Sequence, residues 1–283
     1  IPLRMAPLIF IATLLTHLFG GSAGREGAAL QLGGSIGNSL GKLFHFDEKD
    51  QHIMIMCGMS AAFSALFGTP LAAAIFSMEV VSVGIMHYSA LVPCVIASLT
   101  AHGIASACGI APEIFPIASI PAFTPKNALI IGIFAVLCAL VSILFCTTLH
   151  NAERLYKRFF KNPYVRALAG GLIVIGLTML AGNQTYNGTG MNIITGCMEG
   201  KTVFPLAFLL KMIFTAATLG AGYKGGEIVP TLFIGSTFGT FFASAFGCSI
   251  PLCAAVGMGA VFCGVTNSPI TSLMICFELF GFY

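Results

Sequence analysis

This sequence predicts an all-α, polytopic membrane protein made of two inverted repeats of spanning and broken, re-entrant helices, and three observations carry that prediction. Of its residues, 57% are hydrophobic and only 8% charged, where a soluble domain carries roughly a quarter charged residues. Mean hydropathy is +0.95, and apolar runs recur along the whole length. Sliding the sequence on itself places GMSAAFSALFGTPLAAAIFSME, Gly58–Glu79, over GMGAVFCGVTNSPITSLMICFE, Gly257–Glu278, without a gap. Upstream, Gly24, Leu30, Gly33 and Gly37 fall over Gly226, Leu232, Gly235 and Gly239 in the same order, which marks an internal duplication.

The apolar runs lie near Ala6–Gly20, Ile53–Val83, Ser89–Ala111, Ala128–Leu149, Ala167–Gly182, Val203–Gly220, Ile228–Phe246 and Cys253–Phe280. A helix needs about 20 apolar residues to cross a bilayer, so some of these runs span and others are too short. Pro70 and Pro269 interrupt the second and last runs at equivalent places. Proline removes a backbone donor and disrupts the preceding turn, so each of these runs is expected as two short helices. Two stretches are polar, Gly41–His52 and Asn151–Arg166. The second carries Arg154, Lys157, Arg158, Lys161 and Arg166 against Glu153 alone, which places it on the cytoplasmic face. The whole of 1–283 is expected as one transmembrane core, with repeat one at 1–110, repeat two at 167–283 and the cytoplasmic connection at 151–166.

Composition narrows function further. A net charge of +3 favours neither nucleic acid nor an acidic macromolecule as partner. Ten cysteines form no CxxC pair and the six histidines show no ligand spacing, so no metal, cofactor or disulfide framework is expected. The chain opens inside a hydrophobic run without Met, as a fragment would, and no signal peptide is read there. Two GxSxG matches, around Ser22 and Ser35, admit an intramembrane hydrolase, but no strand precedes either serine, and close helix packing is the plainer reading. A non-enzymatic transporter is expected.

Two polar, glycine-rich points stand out in these greasy surroundings, Gly24-Arg25-Glu26-Gly27 and Gly225-Gly226-Glu227-Ile228-Val229-Pro230. A charge at membrane depth costs at least about 2.5 kcal/mol, so it is usually functional or paired. If each point starts a helix, free backbone N–H groups and the positive end of the dipole meet there, and an anion binds without a full positive charge.

The run GGSAGREGAALQLGGSIG resembles the GREGP block of CLC anion channels and anion/proton antiporters. YNGTGMNIITGCMEGKTVFPLAFLLKMIFTAATLGAGYKGGEIVPTLFIGSTFG is similar to their second-half signature ending in GxFxP. The resemblance covers essentially the whole chain and implies chloride or another halide as substrate, a lipid bilayer as surroundings and a homodimer with one pore per subunit. It makes Glu26 the gating, proton-accepting carboxylate and places anion contacts at Gly24, Arg25, Gly27, Gly226, Ile228 and Val229. The apolar face carrying Phe233, Ile234 or their neighbours offers itself as a subunit contact, though the sequence alone does not assign it.

Departures from the family pattern matter as much. GREGP reads GREGA, GxFxP reads GEIVP, and no counterpart of the family's first anion-binding loop is present. Family antiporters carry a second proton-transferring glutamate after the residue that Glu79 matches, and here Val80 stands there. For Glu79 and its repeat mate Glu278 the expected role is to satisfy donors at a helix end. Glu227 matches a fluoride-exporting branch of the family, although that branch has threonine where Val229 stands. Chloride or another halide, moved by a channel or by an anion/proton antiporter, is therefore the expected substrate, with fluoride/proton exchange as the alternative. The bacterial plasma membrane is the expected location.

Overall fold

The computed structural model describes residues 2–82, 84–117 and 124–281. Among them the chain is almost wholly helical: α1 Met5–Leu18, α2 Glu26–Leu43, α3 Glu48–Phe67, α4 Pro70–Glu79, α5 Leu91–Ala107, α6 Pro125–Phe159, α7 Pro163–Ala181, α8 Met191–Met198, α9 Ala207–Gly220, α10 Ile228–Phe246, α11 Ile250–Thr266 and α12 Pro269–Phe280. Four helical stretches, Tyr88–Ala107, Pro125–Phe159, Pro163–Ala181 and Ile228–Phe246, are long and apolar enough to cross a membrane. The protein is thus a polytopic integral membrane protein.

Both proline breaks form as expected. Gly68, with φ +73°, ends α3 and Pro70 opens α4, while Asn267, with φ +54°, stands at the matching place between α11 and α12. A left-handed residue stops each first helix, and proline's fixed φ starts the second. Gly68 has a further reason to lack a side chain, since a Cβ there would run into Pro112.

The chain divides into two compact units. The first gathers α2–α5 with the final helix α12. In it α2 and α3 press together backbone to backbone, a Cβ on Gly33 meeting the Gly58 carbonyl and one on Gly37 meeting that of Met54. Ser60 and Ser64 of α3 donate to the Cys94 and Ser98 carbonyls of α5 at 3.0 and 2.8 Å, which ties those helices without a charge.

The second unit is built from Thr13–Arg25 and the helices α6–α11. It repeats the glycine contact, with Gly235 against the Gly257 carbonyl and Gly239 against that of Cys253. Its core joins Phe134, Cys138, Val141 and Phe145 of α6 to Phe208 and Met212 of α9, Ile234, Phe238 and Phe242 of α10, and Val261 of α11. The α6 members recur at helical spacing on one face, while Leu129, Ile133, Val136, Leu140 and Ile143 on the other are exposed. An outward face this apolar requires lipid rather than water.

One expectation changes. Phe233 and Ile234 are both fully buried inside the second unit, so they form no subunit contact. The aromatic ring of Phe233 lies under a buried lysine and Ile234 joins the core described above. The helix α6 runs into the basic stretch and ends at Phe159, its 35 residues giving a rod about 52 Å long, more than a bilayer core needs.

Candidate anion site

The two glycine-rich points come together. Gly24 donates its amide to the Gly226 carbonyl at 2.7 Å and Gly226 returns the bond at 2.6 Å, forming an isolated antiparallel bridge. The approach is close enough that a Cβ on Gly225 would meet the Ala23 side chain and sit 3.2 Å from the Gly24 carbonyl. Glycine is therefore required here by space.

Each helix start is tied to this bridge by two residues, since α2 begins at Glu26 and α10 at Ile228. The sequence-predicted residues are distributed around it unevenly. Gly24 and Gly226 are buried, Gly27 is half-buried in the first turn of α2, and Arg25 is exposed. Glu26 is fully buried as the first residue of α2. Ile228 and Val229 are buried in the first turn of α10. Glu227 occupies the N-cap position of α10, where a carboxylate often bonds the first amides. It does not do so here: the side chain is exposed and makes no cap bond, while the backbone carbonyl accepts from the Thr231 hydroxyl at 2.7 Å. Within the second unit the bridge sets Gly24 and Arg25 beside Gly226 and the start of α10, whose first amides have no intrahelical acceptor and suit an anion.

The segment leading to Gly24 is braced by α9. The Ser22 amide donates to Thr218 Oγ1 at 3.0 Å and its hydroxyl pairs with Thr215 Oγ1 at 3.1 Å, a threonine rather than a general base. The Ser35 hydroxyl donates to the Pro2 carbonyl at 2.8 Å. Both serines of the GxSxG matches thus serve packing contacts.

One residue escaped the sequence reading. Lys211 of α9 is fully buried. Its ammonium donates to the carbonyls of Tyr186 and Gly188 at 3.1 and 2.7 Å and lies 5.1 Å from the centroid of the Phe233 ring on α10. Gly188 in turn donates its amide to the Gly21 carbonyl at 3.0 Å, three residues before the bridge. The available signal was a lone cation inside an apolar run, which at membrane depth marks a paired or functional group.

Comparison with known proteins agrees with this geometry. The family described as "Voltage gated chloride channel" matches residues 1–283. A "Chloride/fluoride channel protein" from Pseudomonas syringae pv. tomato is 35% identical over 99% of the chain, which spans 63% of that relative's length. An "H(+)/Cl(-) exchange transporter ClcA" from Vibrio cholerae is 26% identical over 99% of the chain and 64% of its own length. The solved structure of a CLC-type fluoride/proton antiporter superposes with a TM-score of 0.95 at 36% identity, covering 99% of this chain and 71% of that one. With the family pattern matched from end to end and two glycine-rich helix starts joined at Gly24 and Gly226, the chain belongs to the CLC family of voltage gated chloride channels and their antiporter relatives.

Proposed function

We propose that the full-length protein exchanges fluoride for protons across the bacterial plasma membrane, with Glu26 and Glu227 as its proton-accepting carboxylates. The observation that supports this reading is the Gly24–Gly226 bridge, with the exposed Glu227 next in the chain after Gly226 and the buried Glu26 two positions after Gly24. A carboxylate and an anion compete for the same N–H donors, so protonation of Glu26 frees them for the anion. A carboxylate at Glu227 repels chloride, while fluoride is small and basic enough to share a strong hydrogen bond with the protonated acid. Amides contributed by Gly24, Gly27, Gly226 and Val229, with Arg25 at the rim, are the anion contacts in this reading. Chloride is the second reading, favoured by Val229, which supplies no hydroxyl beside the path.

Repeat one at 1–110 and repeat two at 167–283 form one transmembrane core, with the basic stretch 151–166 on the cytoplasmic side. Two subunits associate, each carrying its own path. Crosslinking the full-length protein in membranes tests this, and recovery of monomers alone rejects it.

Flux measurements on full-length protein in liposomes test the substrate. Fluoride should move faster than chloride and drive proton movement, and Glu227→Gln should weaken both together. Faster chloride, with a ratio that Glu227→Gln leaves untouched, would establish the chloride reading. Indifference to halides would reject anion transport altogether.

A further inference from the structure

His17 lies in the last turn of α1, on the stretch that runs on to the bridge, and its ring sits between two carbonyl oxygens. Nδ1 is 2.8 Å from the Thr13 oxygen, one turn back, and Nε2 is 3.1 Å from the Ala23 oxygen, six residues on. A carbonyl oxygen only accepts, so each contact requires an N–H on the ring. Neutral imidazole carries one N–H, and its other nitrogen would then point a lone pair at a carbonyl lone pair. Imidazolium carries two and satisfies both carbonyls at once.

A proton has a way in. The ring is half-buried and opens on a cleft of about 870 Å³ whose polar lining is Thr178, Asn183, Gln184 and Asn187. The other side chains on that cleft, from α7 and the loop after it, are apolar or carry neutral amide and hydroxyl groups, so none titrates against the ring. On α1 itself, Thr13 and Thr16 are the neighbouring polar residues and are neutral. Arg25 and Glu26 are the nearest charged residues along the chain, two and three positions beyond Ala23.

From this geometry we infer that His17 is a proton-binding residue whose doubly protonated ring ties the end of α1 to Ala23. It thereby fixes how the next three residues, Gly24, Arg25 and Glu26, are presented. Loss of the proton releases one carbonyl and loosens the segment immediately before the bridge. His17 is thus a positioning residue acting through Glu26, distinct from the carboxylates that face the anion. Its effect on flux rests on the transport reading, but its protonation does not.

The test has two arms on the full-length protein in bilayers. Nitrogen NMR of histidine-labelled protein, with the His17 signals assigned by their loss in His17→Gln, should show both ring nitrogens protonated at low pH and a single step to the neutral ring as pH rises. A ring that remains one neutral tautomer throughout would overturn the inference. In the second arm, His17→Gln should move the midpoint of the pH profile of anion flux by at least about half a unit. The same change in a Glu26→Gln background should move nothing. A His17→Gln profile that superimposes on wild type would overturn it as well. Should His17→Gln fail to fold, His17→Arg, which keeps a charge and several donors, serves for assignment and should leave the flux pH-dependent through Glu26, with its midpoint moved from that of wild type. Absence of halide flux in the wild type would sink the transport reading and leave the NMR titration to decide the proton site.

Discussion

Glu79 and Glu278 cap each other's helices. Glu79, the last residue of α4, accepts from the amides of Ile270 and Thr271 at 3.2 and 2.9 Å and from the Thr271 hydroxyl at 2.6 Å. Glu278, near the end of α12, accepts from the amides of Leu71 and Ala72 at 2.9 and 2.8 Å. Each carboxylate therefore satisfies two orphan donors at the start of the other repeat's short helix, and α4 and α12 lie side by side in opposite directions. An anion at a helix start also lies at the favourable end of the dipole.

Replacing either glutamate by alanine leaves one exposed and one part-buried amide without their acceptor. Each variant should lose about 1–2 kcal/mol of stability. Because both carboxylates serve one helix pair, the double variant should lose less than the sum. Thermal unfolding of the full-length protein in detergent reads this, and unchanged melting in both single variants would refute the role.

Glu26→Gln fixes the gate in the shape of its protonated form. Folding, followed by circular dichroism, should be retained, and anion flux in liposomes should become independent of pH. Persisting pH dependence of wild-type amplitude would show that Glu26 is not the gate.

Lys211→Met removes the ammonium that holds the Tyr186 and Gly188 carbonyls. A hydrogen bond to a charged group is worth about 1.5–3 kcal/mol, partly offset here because methionine has no charge to bury. The variant should melt earlier, and limited proteolysis should cut within 183–190 faster than in wild type. Equal cleavage rates would argue that the loop is held by its other contacts.

Glycine contacts separate two kinds of substitution. Gly235→Ala drives a methyl into the Gly257 backbone, whereas a Cβ on Gly176 of α7 meets nothing within 4 Å. Gly235→Ala should reduce folded yield severely, while Gly176→Ala should be neutral or stabilise by up to about 1 kcal/mol through helix propensity. Size-exclusion profiles of the two variants give the comparison, and indistinguishable profiles would remove the packing argument.

The duplication was legible because glycine and proline carry backbone geometry in their identity. Pro70 and Pro269 announced the breaks between α3 and α4 and between α11 and α12, and Gly33 and Gly235 announced the tight helix pairs. The convergence of Gly24 and Gly226 followed from treating both points as helix starts. Other features were not legible for physical reasons. The helical winding of Arg154 to Phe159 was not legible, because charge marks exposure to water and says nothing of helix, so the basic stretch did not show that α6 continues through it. The setting of His17 was not legible because ligand spacing shows only where several like residues recur, while its partners are two backbone carbonyls that any sequence supplies. Phe233 and Ile234 looked available as a surface because hydrophobicity does not distinguish a lipid face from an interior one.

The exchange of caps between α4 and α12 also sets an order of assembly. The amides of Leu71 and Ala72 leave the ribosome long before their acceptor, which lies 206 residues later for Ala72. At about 5–20 residues per second, that wait is roughly 10–40 s. Throughout it the start of α4 must be held by water, lipid headgroups or an insertion factor, and the first unit closes only when α12 has been made. The newborn chain is therefore most vulnerable to quality-control proteases in the interval between its two halves.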